Sequence, residues 1–271
     1  MSALTLTEIR IYPVKSLGGI SLDNAIVQSK GLQYDRRWML IDKDGVAMTQ
    51  RSYPAMSLFK PSIENDLIWI SYQKDEKIIS STSLDIDTTS DRLIHTKVWN
   101  DIVEVLEPDP TVSQWFSRHL GIPCRLVAFP EEKPRPVDPL YSINNENVSL
   151  ADAYPFLIIG QSSLDDLNTR LPDPVPMNRF RPNFVFAGPG AAPYQEDEWS
   201  NLAIGKVRFV AVKKSDRCVM TTVNQDTGEK GPEPLRTLSS YRKEGNKVYF
   251  GQNLVALDEG KVSVGDPVIP A

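Results

Sequence analysis

Short apolar runs separated by polar turns dominate this chain. Ile9-Arg10-Ile11-Tyr12, Arg37-Trp38-Met39-Leu40-Ile41, Leu67-Ile68-Trp69-Ile70 and Val207-Arg208-Phe209-Val210-Ala211-Val212 are rich in β-branched and aromatic residues, the composition of strands. Gly18-Gly19, Asp42-Lys43-Asp44-Gly45, Asn65-Asp66 and Asp226-Thr227-Gly228 punctuate them as turns. The Asp42–Gly45 turn, with Ala47 and Met48 beyond it, predicts a hairpin. Frequent short strands of this kind predict a mixed, mainly β fold of barrels or sandwiches with a few helices, rather than a parallel α/β sheet.

Two segments keep helical spacing instead. Asp109 is a candidate N-cap with Pro110 at the first helical position. Val112, Trp115, Phe116 and Leu120 then form one stripe, and Gly121 supplies the stop. A second helix is predicted from Ser162-Ser163, with Asp165 and Asp166 in its first turn, Leu164, Leu167 and Leu171 as its stripe, and Pro172 ending it. Both stripes read as core-packing faces. Between Phe129 and Pro139 the chain turns polar and Pro-rich, which is linker composition. The expected division is therefore an N-terminal domain over 1–128, with one helix, and a C-terminal domain over 129–271. A further irregular stretch, Leu171 to Met177, leads into Arg179 and Arg181.

Composition narrows the function classes. With 271 residues the chain is long enough for one large domain or two ordinary ones. It carries 30 basic and 35 acidic side chains, a formal charge of −5, so nucleic-acid binding lacks its usual basic excess and any anion site must be local. Two Cys and two His are too few for a four-thiolate iron–sulfur cluster. A zinc site would need Cys124, Cys218, His95 and His119 to converge without any ligand spacing to support it. A disulfide between Cys124 and Cys218 has no support in the spacing, and low Cys usage fits a reducing compartment. The start of the chain lacks the pattern of a signal peptide. Nor does any apolar stretch approach the ~20 residues of a membrane span. A cytoplasmic protein without membrane or nucleic-acid partners is expected.

The candidate chemistry lies in three places. Cys218, in Ser215-Asp216-Arg217-Cys218-Val219-Met220-Thr221-Thr222, is either an inert core thiol or a soft metal ligand, since thiolate is the form that binds metal. One thiolate leaves most coordination positions to something else, such as a cofactor that brings its own sulfur. Period-two geometry would put Arg179, Arg181 and Asn183 on one face, where they can fork onto a phosphate or a polar heterocycle. Pro182 in their midst argues for an edge strand or an irregular entry to one. Lys15 and Ser16 precede Gly18-Gly19, and a Lys with a hydroxyl and turn amides can bind an anion. Arg36 and Arg37 follow Asp35, and one of them is expected to pair with it. Ser162 and Ser163 read as helix caps whose neighbouring amides are open to an anion.

Taken together, these segments resemble the MOSC family, in the branch of the mitochondrial amidoxime-reducing component and its bacterial relatives. The N-terminal marks are Tyr12-Pro13-Val14-Lys15-Ser16 and Gly31-Leu32-Gln33-Tyr34-Asp35-Arg36-Arg37-Trp38. Those of the second half are Arg179-Phe180-Arg181-Pro182-Asn183, Arg217-Cys218-Val219-Met220-Thr221-Thr222-Val223, Asp226-Thr227-Gly228, Phe250-Gly251-Gln252-Asn253 and Val264-Gly265-Asp266-Pro267-Val268. The resemblance implies an N-terminal MOSC-associated β-barrel domain followed by a MOSC β-barrel domain. It implies that the molybdenum cofactor is bound, with Cys218 as the protein thiolate on molybdenum and the catalytic residue. Lys15, Ser16, Arg36, Arg179, Arg181 and Asn183 match positions that hold the pterin and its phosphate, and Ser162, Ser163 and Arg217 are implied as supporting contacts.

The implied activity is reduction of small N-hydroxylated compounds such as amidoximes, hydroxylamines and N-hydroxylated bases. The chain ends at Pro270-Ala271 without the ferredoxin domain of some bacterial relatives. A separate electron donor of ferredoxin, flavin or cytochrome type is therefore expected. MOSC-like modules also occur in molybdenum cofactor sulfurases, so the alternative is a carrier of cofactor or sulfur that uses Cys218.

Overall fold

Strand β1 (Leu4–Ile11) turns Leu6, Ile9 and Ile11 into the main core. The step from Leu6 to Ile9 breaks the two-residue period of a strand, and a bulge between Leu6 and Glu8 restores the facing. The computed structural model describes residues 4–88, 90, 92–99 and 101–271. After β1 come β2 (Ile20–Leu22), β3 (Asn24–Gln28), β4 (Gly31–Leu32) and β5 (Trp38–Asp42). The next strands are β6 (Phe59–Glu64), β7 (Leu67–Lys74), β8 (Lys77–Asp85), β9 (Leu93–Val98) and β10 (Asp101–Leu106). Helix α1 (Pro110–Leu120) and β11 (Cys124–Ala128) close the first half. The second half holds β12 (Phe156–Gly160), α2 (Gln161–Arg170), β13 (Phe184–Ala187), β14 (Asn201–Ile204) and β15 (Val207–Asp216). It ends with α3 (Leu235–Tyr241), β16 (Lys243–Glu244), β17 (Lys247–Ala256), β18 (Gly260–Ser263) and β19 (Pro267–Pro270).

Seven of these strands close into a barrel in the order β12-β13-β1-β19-β14-β15-β17, with β17 pairing back onto β12. Phe156, Phe184 and Phe209 fill its interior. The first two are stacked at 5.8 Å, and Phe209 stands edge-on to both. Strand β12 is apolar throughout because both of its faces are covered. Phe156 and Ile158 join the barrel core, whereas Leu157 and Ile159 pack with Leu164 and Leu167 of α2. Of the other N-terminal strands, β2 pairs with β1, β3 and β4 form a three-stranded sheet with β18, and the rest form a four-stranded sheet, β5-β11-β10-β9, and a three-stranded sheet, β6-β7-β8. Trp38, Leu40, Phe59 and Ile70 share a second core there with Trp115 and Phe116 of α1.

Both predicted helices form, but only α1 is capped as expected: α2 is entered from Gly160 without a side-chain cap, and Ser162 and Ser163 lie inside its first turn. Asp109 accepts from Thr111 N at 2.7 Å, and Gly121 ends α1 in the left-handed conformation (φ 71°). The 42–45 hairpin also forms, with Asp42 N donating to Val46 O at 3.0 Å. Helix α3 escapes a periodicity reading because it is short and buries only Leu238. Among the described residues no helix is long and apolar enough to cross a membrane.

Two features of the organisation come from long-range contacts. Strand pairing crosses the division expected at 128/129: β1 lies between β13 and β19 in the barrel, and β3 pairs with β18. Closing the barrel requires the N-terminal strand, so the break in composition does not coincide with a break in the sheets. The segment read as a linker is docked rather than loose. Phe129 and Val137 are buried, and Arg135 (6% exposed) donates to Ser149 O at 2.8 Å and Ala151 O at 2.6 Å while pairing with Asp101. Composition cannot register such partners, which come from distant parts of the chain.

Candidate functional site

The loops leaving β1 and β15 and those entering β12 and β13 line one cleft. Into it project six cationic side chains, Lys15, Arg36, Arg51, Arg179, Arg181 and Arg217, against the carboxylates of Asp152 and Asp216. A chain of net charge −5 has thus gathered a local positive field, which suits an anionic ligand.

Cys218 follows β15 and precedes a 3-10 turn over Val219–Thr222; its thiol is free and half-buried. Arg51 Nε donates to Cys218 Sγ at 3.3 Å, and Arg51 Nη2 donates to Asp152 Oδ2 at 2.8 Å. The other Asp152 oxygen accepts from Lys15 Nζ, which also donates to Leu150 O at 2.7 Å. Asp152 lines the cleft with 42% of its side chain exposed. Burial pushes its carboxyl up, yet Lys15 and Arg51 outweigh burial and hold it well below the usual carboxylate range. Burial likewise lowers the Lys15 ammonium against the opposing pull of Asp152. Arg51 moves upward, because Asp152 and Cys218 together overcome burial.

A second network forms the other wall. Asp35 accepts from Tyr12 N at 2.7 Å, from Asn183 Nδ2 at 3.0 Å and from Arg36, as expected for one of the two arginines beside it. Arg37 instead donates to the Asp35 backbone carbonyl at 2.9 Å and to Glu131. The guanidiniums of Arg36 and Arg181 both lie over the Tyr12 ring, at 4.6 and 4.1 Å from its centroid. Arg181 is buried enough to bring its pKa down to about 10, with the neighbouring Arg36 adding to the effect. Ser16 (φ 65°), Arg36 (φ 51°) and Arg181 (φ 58°) are all left-handed non-glycine residues lining this cleft. Such conformations cost about 1–3 kcal/mol each and concentrate at functional sites.

Of the residues singled out from sequence, Lys15, Ser16, Arg36, Arg179, Arg181, Asn183, Arg217 and Cys218 all line the cleft. The 179–183 run reaches it without being a strand. Arg179 ends a 3-10 turn over Met177–Arg179, and the left-handed Arg181 redirects the chain before β13. Pro182 thus marks an irregular entry. Arg179 Nε donates to Thr221 O at 2.8 Å, tying that turn to the Cys218 loop. Asn183 spends its amide internally, on Arg10 O, Asp35, Leu157 N and Arg36, so it shapes the wall rather than offering free donors.

Ser162 and Ser163 are not brought to the cleft. Ser162 Oγ donates to Ala192 O at 3.1 Å. Ser163 Oγ donates to the buried Glu196 carboxylate, which also accepts from Gly160 N at 3.1 Å. An internal carboxylate therefore takes the place expected for an external anion at the start of α2. Burial pushes the Glu196 carboxyl up, partly offset by those hydrogen bonds.

The guanidinium at the sulfur belongs to Arg51, not to Arg217, the sequence neighbour. Arg217 donates to Phe180 O at 2.6 Å and Ser215 Oγ at 2.9 Å. Its buried Nε has no partner among the described residues. Arg51, Asp152 and Tyr154 also line the cleft and escaped the sequence reading, because each stands in a polar loop without motif or spacing.

Fold and cleft define a β-barrel protein that presents a thiol beside a cationic anion site. Comparison with known proteins agrees: residues 3–123 match the MOSC N-terminal beta barrel domain and residues 145–269 match the MOSC domain. The chain is 34% identical over 283 residues to mitochondrial amidoxime-reducing component 1 of Mus musculus, covering 97% of this chain and 81% of that one. It is 34% identical to mitochondrial amidoxime reducing component 2 of Bos taurus, covering 97% and 82%. The molybdenum cofactor sulfurase of Oryza sativa subsp. japonica is 32% identical over 93% of this chain but only 32% of its own length. The chain belongs to the MOSC-domain family.

Proposed function

We propose that this protein is a molybdenum cofactor-dependent oxidoreductase that reduces N-hydroxylated compounds with electrons from a separate donor protein. The observation that carries the proposal is one accessible thiol, Cys218, in a cleft lined by six cations. That donor set fits the group. A soft sulfur ligand suits molybdenum, and forked guanidiniums suit the phosphate and polar heterocycle of its pterin. The unpartnered Arg217 Nε adds a buried donor that a ligand can satisfy. Cys218 would hold the metal, with Lys15, Ser16, Arg36, Arg179 and Arg181 around the pterin and its phosphate.

When bound, the cofactor supplies the redox chemistry that breaks the N–O bond. An amidoxime then takes up two electrons and two protons and leaves as amidine and water. The chain itself orients the reacting partners. Arg51 clamps the sulfur and Asp152 together, so that Arg51→Ala releases both and is expected to lower kcat/KM about 10–100-fold, the usual cost of losing a support for a metal ligand. Steady-state kinetics at matched molybdenum content checks this; an unchanged kcat/KM would remove Arg51 from the role.

The decisive measurement is the molybdenum and pterin content of protein made in a host that synthesises the cofactor, followed by benzamidoxime reduction with an artificial donor. Near-stoichiometric cofactor and turnover are expected; absence of both sinks the proposal. The carrier reading has narrower support, because this chain spans about a third of the sulfurase it matches and four-fifths of the amidoxime-reducing component. Persulfide on Cys218 with handover of cofactor to an apo-enzyme would favour it. A ferredoxin, flavin or cytochrome-type donor and a cytoplasmic location complete the proposal; two free thiols suit a reducing compartment.

A further inference from the structure

Two buried amides join the loop that carries Arg51 to the loop that follows Cys218. Gln50 Nε2 donates to Gln225 Oε1 at 3.1 Å, and Gln225 Nε2 donates back to Gln50 Oε1 at 2.9 Å. Each nitrogen also makes a second bond, Gln50 to Ser16 O at 2.8 Å and Gln225 to Val223 O at 3.0 Å. Gln50 is 0% exposed and Gln225 4%, so water does not compete for these bonds. Residues 50 and 51 belong to the half that matches the N-terminal beta barrel domain, and 218 and 225 to the half that matches the MOSC domain.

Both glutamines stand outside the strands and helices, so the pair completes no sheet. Neither lines the cleft. What the pair fixes is the approach of two loops. Gln50 precedes Arg51, whose Nε reaches Cys218 Sγ at 3.3 Å. Gln225 follows the 3-10 turn over Val219–Thr222, and its carbonyl accepts from Lys60 Nζ at 2.6 Å. Lys230 Nζ, on the same side, donates to Arg51 O at 3.2 Å. Gln50 also holds the carbonyl of the left-handed Ser16, and such backbone persists only where its surroundings over-determine it. A buried polar pair with all its bonds made specifies one arrangement of the groups it joins.

We infer that Gln50 and Gln225 are positioning residues: their amide pair holds the Arg51 loop against the Cys218 loop and so keeps the Arg51 guanidinium on the sulfur. The consequence for turnover rests on the reductase reading. The consequence for the sulfur does not, because the contact exists in the chain alone.

The first test uses full-length protein without cofactor. Alkylation of Cys218 by iodoacetamide at one pH is followed by peptide mass, which keeps Cys124 separate. Arg51→Ala is expected to change this rate about two- to tenfold, the effect of losing one hydrogen bond. Gln225→Ala should move it in the same direction and add nothing in the Arg51→Ala background, since both act through one contact. The double variant Gln50→Met/Gln225→Met replaces both amides by apolar chains of similar length, a change that is close to neutral for folding. It should melt within a few degrees of wild type and still show the altered rate. A wild-type rate in Arg51→Ala or in either amide variant, or a further change on top of Arg51→Ala, overturns the inference. In cofactor-loaded protein, Gln225→Ala is expected to lower kcat for benzamidoxime about three- to tenfold with little change in KM, a fraction of the ~10–100-fold expected of Arg51→Ala. An unchanged kcat also overturns it. If loaded wild-type protein turns over no benzamidoxime while the alkylation results hold, the reductase reading falls and the positioning role stands.

Discussion

Cys218→Ser protein, made in a host that supplies the cofactor, is expected to lose more than about 100-fold in reductase turnover, beyond the ~10–100-fold that loss of a supporting partner brings. Serine keeps the size of the side chain and an acceptor for Arg51 Nε, so the clamp between Arg51 and Asp152 survives. What changes is the donor: a hard hydroxyl replaces a soft thiol, and soft ligation is what the sulfur contributes. Cys218 lies outside the four core clusters, so the thermal midpoint should stay within a few degrees of wild type. Activity assays, molybdenum analysis and thermal unfolding on the same preparations separate lost ligation from lost folding. Near wild-type turnover in a metal-loaded variant would remove Cys218 from the metal.

Asp35→Ala carries the largest expected stability effect. Asp35 is 1% exposed and accepts from Tyr12 N, Asn183 Nδ2 and Arg36. Alanine strands those three donors, including a largely buried guanidinium. Removing one partner of a buried ion pair costs about 3–5 kcal/mol. Against a total stability of about 5–15 kcal/mol, that is a large fraction. The expected result is a marked fall in the urea midpoint. Cofactor retention should fall as well, because Arg36 and Asn183 both lose the carboxylate that orients them in the cleft. Asp35→Asn keeps the shape and some acceptor capacity and should be intermediate. A loss below about 1 kcal/mol in the alanine variant would mean that Asp35 does not organise this wall.

How much of this was legible depends on the range of the interactions involved. Residues 110–120 announce their helix through Asp109, Pro110 and Gly121, all within a turn of its ends. The 42–47 hairpin is equally local. Along β1 the apolar spacing looks irregular until the bulge at Leu6–Glu8 is known. The arginines of 179–183 were legible as a cluster, but not the 3-10 turn and left-handed Arg181 that deliver them. Ser163 shows the opposite failure. Its place at the start of a helix suggests an anion site, yet Glu196, 33 residues later, supplies the carboxylate from within.

The sequence by itself determined the strand-rich character, the two longer helices, the Cys218 thiol in its Arg-Cys setting and the cationic residues near it. These follow from periodicity, capping and residue chemistry, which act over a few neighbouring positions. Tertiary structure alone decided that Arg51, 167 residues before Cys218, is the guanidinium on the sulfur. It also decided that Asp152 links Arg51 to Lys15, and that the Arg51 guanidinium lies over the Trp99 ring. Those contacts join loops far apart along the chain, and no local pattern encodes a partner that the tertiary fold brings from so far away.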